Sequence, residues 1–354
     1  MTKPHDASAE FEERLLRAAA EGTPLDIVGA SSKSFLGRRT QGETFDVSAH
    51  RGVLSYEPTE LVITARAGTP LRNIETLLAD SGQMLAFEPP HFGAAATLGG
   101  TVASALSGPR RPYAGAARDF VLGVKVIDGE GRTLNFGGRV MKNVAGYDVS
   151  RLMVGAMGTL GVLLEISLKV LPVAARTTTL VFSLDAAAAI ERMNAWAAKP
   201  MPLSGACFEA GRLYLRLSGT AGGVARAVET LGGDVVEDEQ PWHGLREQSL
   251  PYFDTRAPLW RLSVPPATPP LNIAGETLVD WGGALRWLKS ELPGEEVRAA
   301  VAEVGGHGTL YRNGDRQGAV YHPLSPPLLN LHRRLKASFD PKGILNPGRM
   351  YANL

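Results

Sequence analysis

Three glycine-rich stretches decide the fold of this chain, and the central one, Thr-Leu-Gly-Gly-Thr-Val-Ala-Ser, occupies residues 97–104. Paired glycines remove two β-carbons, so a flat ring or a diphosphate can approach the backbone closely. The first stretch, Gly-Ala-Ser-Ser-Lys-Ser at residues 29–34, follows a predicted strand, Leu25–Val28. The third stretch lies at the start of another predicted strand and reads Gly-Ala-Met-Gly-Thr-Leu-Gly-Val at residues 155–162. Together they predict a binding site built largely from backbone.

The loop at residues 29–34 presents successive N–H groups on mostly small residues, which can form an anion-binding nest. A solvated Ser/Gly turn explains this loop equally well when it is taken alone. No G-x-G-x-x-G follows a strand and no G-x-x-x-x-G-K-[ST] occurs, so the sequence supports neither a Rossmann site nor a P-loop.

Composition narrows the function classes further. The 354 residues carry a net charge of +1 and no long basic block, so we expect no nucleic-acid partner. Cys207 is the single cysteine, so this chain alone cannot ligate a four-cysteine iron–sulfur cluster or zinc site. Residues 1–21 are too acidic for a signal peptide, and residues 160–173 are too short and charged to cross a bilayer. We expect a cytoplasmic protein. Any attachment to the inner face of the membrane is expected to be through partner proteins.

Periodicity predicts alternating helices and strands, and hence an α+β protein. Helices are expected at Phe11–Ala20, at 70–81 with Thr69 as N-cap, and at Leu285–Glu291. A hairpin is expected from Phe120–Asp128 and Arg132–Phe136. The predicted division is a first domain at 1–172, a smaller domain at 173–324 and a C-terminal helix-and-turn segment at 325–354.

An ordered set of motifs resembles the vanillyl-alcohol-oxidase/PCMH flavoprotein family. The first loop of this chain resembles the pyrophosphate loop of the family. Ala96–Gly100, followed by Ser107-Gly108-Pro109, is similar to the second loop of the family. The other matching segments are Tyr113 to Gly123, Lys142 to Asp148, Gly158 to Gly161 and Asp340 to Gly348.

The resemblance implies the PCMH-type FAD-binding fold, two α+β subdomains clasping FAD with a short α+β cap domain. It implies non-covalent FAD, because the first loop contains no His or Cys. The residues it assigns to FAD are Gly29, Ala30, Ser31, Ser32, Lys33, Thr97, Gly99, Gly100, Ser104, Gly108, Asn143, Gly146, Gly158, Gly161 and Val162.

The chain departs from the family's larger dehydrogenases, whose H-x-G-D-G-N-x-H motif is replaced by Gly-Gly-His-Gly-Thr-Leu-Tyr-Arg at residues 305–312. That string and the short cap resemble the smaller flavin subunits of glycolate-oxidising complexes. The resemblance implies oxidation of a small 2-hydroxy acid beside a larger FAD-containing catalytic subunit and an iron–sulfur subunit. No metal is expected in this chain.

His307 and Arg312 are the candidate catalytic residues. A neutral imidazole can take the proton of a hydroxyl group, and a guanidinium can pair with a carboxylate. Three alternatives remain open: both side chains line a domain or subunit contact, the chain is a non-catalytic FAD-bearing subunit, or it is a stand-alone oxidase.

Overall fold

The computed structural model describes residues 4–138, 148–236 and 240–354. Within these residues the α-helices are α1 (Ser8–Glu21), α2 (Leu71–Ala79), α3 (Leu98–Ser104), α4 (Arg111–Ala114), α5 (Ala117–Phe120), α6 (Val149–Leu152), α7 (Ala186–Ala197), α8 (Ala221–Leu231), α9 (Gln240–Glu247), α10 (Gly294–Glu303) and α11 (Pro326–Phe339). The strands are β1 (Leu25–Val28), β2 (Glu43–Asp46), β3 (Val53–Glu57), β4 (Val62–Arg66), β5 (Gln83–Met84), β6 (Val121–Ile127), β7 (Thr133–Gly137), β8 (Val162–Lys169), β9 (Leu171–Pro172), β10 (Arg176–Ser183), β11 (Leu203–Glu209), β12 (Arg212–Gly219), β13 (Asp234–Val236), β14 (Leu259–Ser263), β15 (Glu276–Asp280), β16 (Leu285–Lys289) and β17 (His307–Arg312).

The chain folds into two compact units. Unit 1 comprises residues 1–106, 116–172 and 323–354, and unit 2 comprises residues 107–115 and 173–322. The sequence-based division differs at residues 107–115, which it places in the first domain, and at residues 323–324, which it places in the second. A mixed α+β composition, as predicted, is found in both units.

Unit 1 is built on an antiparallel sheet in the order β3-β4-β8-β6-β7. The predicted hairpin is present as β6 and β7, which pair from Gly123 with Gly137 to Ile127 with Thr133. Helix α1, as its helical spacing predicts, buries Phe11 and Leu15 against this unit's core. That core also contains Phe45 of β2 and Ile344 near the C-terminus, so distant parts of the chain share it.

The C-terminal segment is joined to β1 by backbone hydrogen bonds. The N–H of Leu25 donates to the carbonyl of Ile344 (2.7 Å), and the N–H of Asn346 donates to the carbonyl of Leu25 (3.0 Å). Strand β1 also pairs in parallel with β2. The segment that follows β1, the first glycine-rich loop, therefore starts from a strand that is fixed on both sides.

A buried ion pair holds the C-terminal segment in place. The ammonium of Lys336 donates to Asp340 Oδ2 (2.7 Å), to the carbonyl of Thr159 (2.8 Å) and to that of Leu345 (2.6 Å). The Asp340 carboxylate also accepts the N–H groups of Ile344 and Leu345. Burial lowers the pKa of Lys336, and the charge of Asp340 opposes that shift. Every polar group of the pair thus has a partner, as a buried charge requires.

Unit 2 contains an antiparallel sheet in the order β13-β10-β12-β11-β15-β16-β14-β17. Two hydrophobic clusters flank it. One includes Ile190 and Trp196 of α7 with Val224 of α8, and the other includes Val297 and Val301 of α10. Cys207 is buried in β11 with a free thiol, and burial raises the pKa of that thiol.

Two local predictions are wrong. Residues 285–289 form strand β16 rather than a helix, because Leu285 and Leu288, three apart as on a helix face, are buried in the interior of the sheet together with Trp287. Thr69 does not cap α2, whose N-cap is Pro70. The Thr69 hydroxyl instead accepts the N–H of Gly52 (2.9 Å). In the described part of the chain, no helix combines the length and apolar character needed to cross a membrane.

We expect Asp340→Ala to destabilise unit 1 by about 3–5 kcal/mol, because it leaves the Lys336 ammonium buried without a counter-charge. All five tryptophans lie in unit 2, so the measurement is amide hydrogen exchange in β6 and β8 rather than tryptophan fluorescence. Lys342→Ala, at an exposed position two residues away, is the control and should change stability by less than about 0.5 kcal/mol. Equal effects of the two variants would contradict the importance of the ion pair.

Candidate functional site

Unit 1 contains a cleft of about 920 Å³, part of it open to solvent. Its walls come from all three glycine-rich stretches, the end of β1 and the C-terminal segment. The lining residues are Asp26, Ile27, Val28, Gly29, Ala30, Ser31, Ser32, Lys33, Ser34, Leu36, Val47, Ala67, Thr97, Gly99, Gly100, Ala103, Ser104, Met157, Gly158, Gly161, Leu163, Asn346 and Arg349.

The first loop lines the cleft with backbone. Turn hydrogen bonds close it, from Ser34 N–H to Ser31 O (3.1 Å) and from Leu36 N–H to Lys33 O (3.0 Å). Ser31 has a left-handed φ of 56°, which few side chains adopt and which turns successive N–H groups to one side. Among the described residues, the amides of Ala30, Ser31 and Ser32 donate to no protein acceptor. The loop can therefore donate these amides to an anion.

Lys33 adds a cation to this wall. Its Nζ lies 3.3 Å from the carbonyl of His91 and 5.8 Å from the ring centroid of Phe92. These contacts hold the ammonium beside the loop, where it strengthens the attraction for negative charge.

The second stretch begins helix α3 and contributes shape rather than free amides. The N–H of Leu98 donates to Thr69 O and that of Gly99 to Ala67 O, while Thr97 Oγ1 accepts from Gly100. A β-carbon on Gly99 would lie 2.8 Å from that of Ala67, so Gly99 is required by packing. A β-carbon on Gly100 would meet only Thr97 Oγ1, at 3.2 Å, so Gly100 leaves room in the cleft.

The first and second stretches touch each other. A β-carbon on Gly29 would lie 2.8 Å from Thr97 Oγ1, so only glycine permits this approach. The third stretch is bound to α3 by the N–H groups of Gly155 and Met157, which donate to Val102 O and Ala103 O. The structure therefore brings the three stretches together around one cleft.

Asn346, which the sequence reasoning assigned no role, connects two of these walls. Its Oδ1 accepts the N–H of Ile27 (2.7 Å), and its Nδ2 donates to the carbonyl of Met157 (2.6 Å). Gly158 has φ of 72°, and a β-carbon there would lie 2.7 Å from Asn346 Nδ2. Arg349 also lines the cleft and approaches Ser34 O at 3.4 Å. The family-like segment at residues 340–348 contains Asn346, but nothing local in it identifies Ile27 and Met157 as the partners of that side chain.

Two sequence-assigned residues do not line the cleft, and two more cannot be placed. Val162 opens β8 and is fully buried in the core of unit 1, without lining the cleft. Gly108 belongs to unit 2, where its carbonyl accepts a hydrogen bond from Trp281 Nε1 (3.0 Å). Asn143 and Gly146 lie outside the described residues. The remaining assigned residues of the three stretches all line the cleft.

His307 and Arg312 lie at the two ends of β17 in unit 2. His307 is exposed, with its ring centroid 6.4 Å from that of His322. Partial desolvation lowers the pKa of His307, and the positive charges of Arg261 and His322 lower it further. The ring is therefore available as a base near neutral pH. Arg312 donates from Nη2 to Gln248 Oε1 (2.8 Å) and so is engaged within the protein.

Comparison with known families matches two parts of the chain. Residues 6–137 match the family described as FAD binding domain, and residues 313–350 match the family described as FAD linked oxidases, C-terminal domain. The solved structure of alkyldihydroxyacetonephosphate synthase superposes with a TM-score of 0.66 over 97% of this chain and 76% of that chain. Because their sequence identity is 16%, this likeness concerns the fold alone.

Among curated proteins, glycolate oxidase subunit GlcE of Escherichia coli K12 is 50% identical over 354 residues, which is 100% of both chains. Two further relatives match only part of the chain. D-2-hydroxyglutarate dehydrogenase of Xanthomonas citri pv. viticola is 32% identical over 33% of this chain and 24% of its own. Glycolate oxidase subunit GlcD of Bacillus subtilis is 32% identical over 38% of this chain and 29% of its own.

We expect His307 to titrate below the ordinary value of 6.5, so that the neutral ring dominates at pH 7. Removing a neighbouring positive charge, in Arg261→Gln, should raise its pKa towards that value. The measurement is an NMR pH titration of the imidazole resonances, with His307→Gln for assignment. A wild-type midpoint at or above 6.5 would contradict this electrostatic description.

Proposed function

From the premise that this chain belongs to the FAD-linked oxidase family, shown by its full-length match to a GlcE subunit, we propose that it is the FAD-binding subunit of a complex that oxidises a 2-hydroxy acid. The product is the corresponding 2-oxo acid. The observation that carries the proposal is the cleft of unit 1, which is lined both by glycines and by Ala30, Ser31 and Ser32, whose amides have no acceptor among the described residues.

FAD is the cofactor, and the residues around the cleft fit it. The amides of Ala30, Ser31 and Ser32 suit a pyrophosphate, which needs several donors at close range. Lys33 adds positive charge to the same wall. Gly100 leaves a surface without a side chain, on which a flat ring can lie. The first loop carries neither His nor Cys, so the binding is non-covalent.

Bound FAD supplies an acceptor for the hydride that leaves the α-carbon of the substrate. In this proposal His307 takes the proton of the substrate hydroxyl as the carbonyl forms. A neutral ring is required for that role, and the lowered pKa of His307 favours it.

Onward electron transfer belongs to other chains of the complex. With Cys207 as its single cysteine, this chain cannot supply four thiolates to an iron–sulfur cluster. We therefore assign one-electron relay to an iron–sulfur subunit, and we place this chain beside a larger FAD-containing catalytic subunit, in keeping with the separate GlcE and GlcD subunits named among its relatives. Such partners would also hold it at the inner face of the membrane.

A second candidate function is a non-catalytic FAD-bearing subunit that stabilises the catalytic one. Two observations favour it. The segment at residues 305–312 lacks the aspartate and second histidine of the larger dehydrogenases. Arg312 is engaged with Gln248 rather than left available for a substrate.

We expect Gly100→Leu to weaken FAD binding by about 10–100-fold, because the new side chain overfills the glycine-lined part of the cleft. Gly222→Leu is the matched control, since Gly222 is also a helical glycine with no heavy atom within 4 Å of an added β-carbon. The measurement is titration of each purified chain with FAD. Equal affinities for the two variants would contradict the assignment of this cleft to FAD.

We expect His307→Gln to lower kcat for glycolate at least about 100-fold in the assembled complex, which is the ordinary contribution of a general base. KM should change little, because the variant removes proton transfer rather than binding. His243→Gln, at an exposed position of α9, should leave kcat unchanged. Undiminished turnover of the His307 variant would favour the non-catalytic function.

A further inference from the structure

Arg261 occupies a position in unit 2 that sequence reasoning did not single out. It lies in the middle of β14, opposite Trp287 of β16 and Thr309 of β17. Its neighbours Trp260 and Leu262 are buried in the cluster that includes Val297 of α10. Because side chains alternate along a strand, Arg261 projects from the opposite face of the sheet, where it is half-buried.

In the described part of the chain, the guanidinium of Arg261 contacts an aromatic ring rather than a carboxylate. Its Cζ lies 4.8 Å from the ring centroid of Trp281. Arg111 lies over the same ring at 4.3 Å, so two cations share one aromatic side chain. Within the described residues Arg261 makes no hydrogen bond and no ion pair. Asp280 attracts it electrostatically without contacting it as a salt bridge.

Keeping a half-buried guanidinium without hydrogen-bond acceptors or a salt bridge costs free energy. Desolvation lowers the pKa of Arg261, and the positive charge of Arg111 acts in the same direction. The contact with Trp281 supplies no hydrogen-bond acceptor, and the five N–H donors of the guanidinium have none among the described residues. A planar carboxylate satisfies two of these donors at once and places negative charge in direct contact with the guanidinium.

His307 lies on the same face of the sheet. The register pairs Ser263 with His307 and Arg261 with Thr309, so Arg261 and His307 are diagonal neighbours on adjacent strands. Such neighbours are about 7–8 Å apart between backbones, within reach of long side chains. The influence of the Arg261 charge on the pKa of His307 agrees with this proximity.

We propose that Arg261, rather than Arg312, binds the carboxylate of the 2-hydroxy acid, with His307 beside it facing the α-hydroxyl. This rests on the proposed function, in which His307 takes the hydroxyl proton. A 2-hydroxy acid carries its carboxylate and hydroxyl on adjacent atoms, so an anion-binding group and a base must lie side by side. Arg261 and His307 meet that requirement, whereas the Nη2 of Arg312 is occupied by Gln248.

The test measures binding of oxalate, a stable dicarboxylate, to the FAD-loaded full-length chain by isothermal titration calorimetry. We expect Arg261→Gln to weaken oxalate binding at least about 30-fold, as for loss of one partner of a desolvated charge pair. Arg312→Gln is the matched control and should change the dissociation constant less than about threefold. Unchanged affinity in the Arg261 variant, or a large loss in the Arg312 variant alone, would overturn the proposal.

Arg261→Lys is a second variant that tests the proposal even if Arg261→Gln fails to fold. It keeps the positive charge but not the bidentate fork, so oxalate binding should weaken about tenfold while the melting temperature stays close to that of the wild type. If Arg261→Lys bound oxalate as tightly as the wild type, bidentate binding of the carboxylate by Arg261 would be contradicted. FAD titration of the same variants separates the two hypotheses: normal FAD binding with unaltered oxalate binding overturns the inference alone, whereas a wild-type chain that takes up no FAD overturns the proposed function.

Discussion

The buried ammonium of Lys336 binds the carboxylate of Asp340 and two carbonyls, and the geometry of the cleft depends on this arrangement. One of those carbonyls belongs to Thr159 in the third glycine-rich stretch. The carboxylate in turn orders residues 340–345, which position Asn346 between β1 and Met157. A segment near the end of the chain thereby fixes two loops that lie more than a hundred residues apart in sequence.

With the walls fixed in this way, the three glycine-rich stretches have distinct physical roles. The first offers a cation and amides that have no acceptor among the described residues, and the second offers a surface without side chains. The third holds the C-terminal segment through the carbonyls of Met157 and Thr159. The amides at the start of α3 are already bonded to Ala67 and Thr69, so anion binding is left to the first loop alone. These distinct roles suit a ligand that carries an anionic diphosphate in its middle and a flat ring at one end.

Sequence reasoning found most of the cleft because glycines at close approaches leave a local signature. It could not find Asn346 or Arg349, whose roles arise from contacts between residues far apart in the chain. The same limit applies to Leu285–Glu291, where leucines at helical spacing predict a helix although burial in the sheet makes Leu285–Lys289 a strand. It also explains why the sequence draws attention to Arg312 and not to Arg261, since the register of β14 and β17 cannot be derived from composition.

Amide hydrogen exchange with and without FAD tests the central claim most directly. If backbone amides of the first loop hold the cofactor, exchange in residues 29–34 should slow strongly when FAD is added. Residues 98–101, whose amides already have protein acceptors, should change far less. Saturating FAD that leaves exchange in residues 29–34 unaltered would show that the cofactor is held elsewhere.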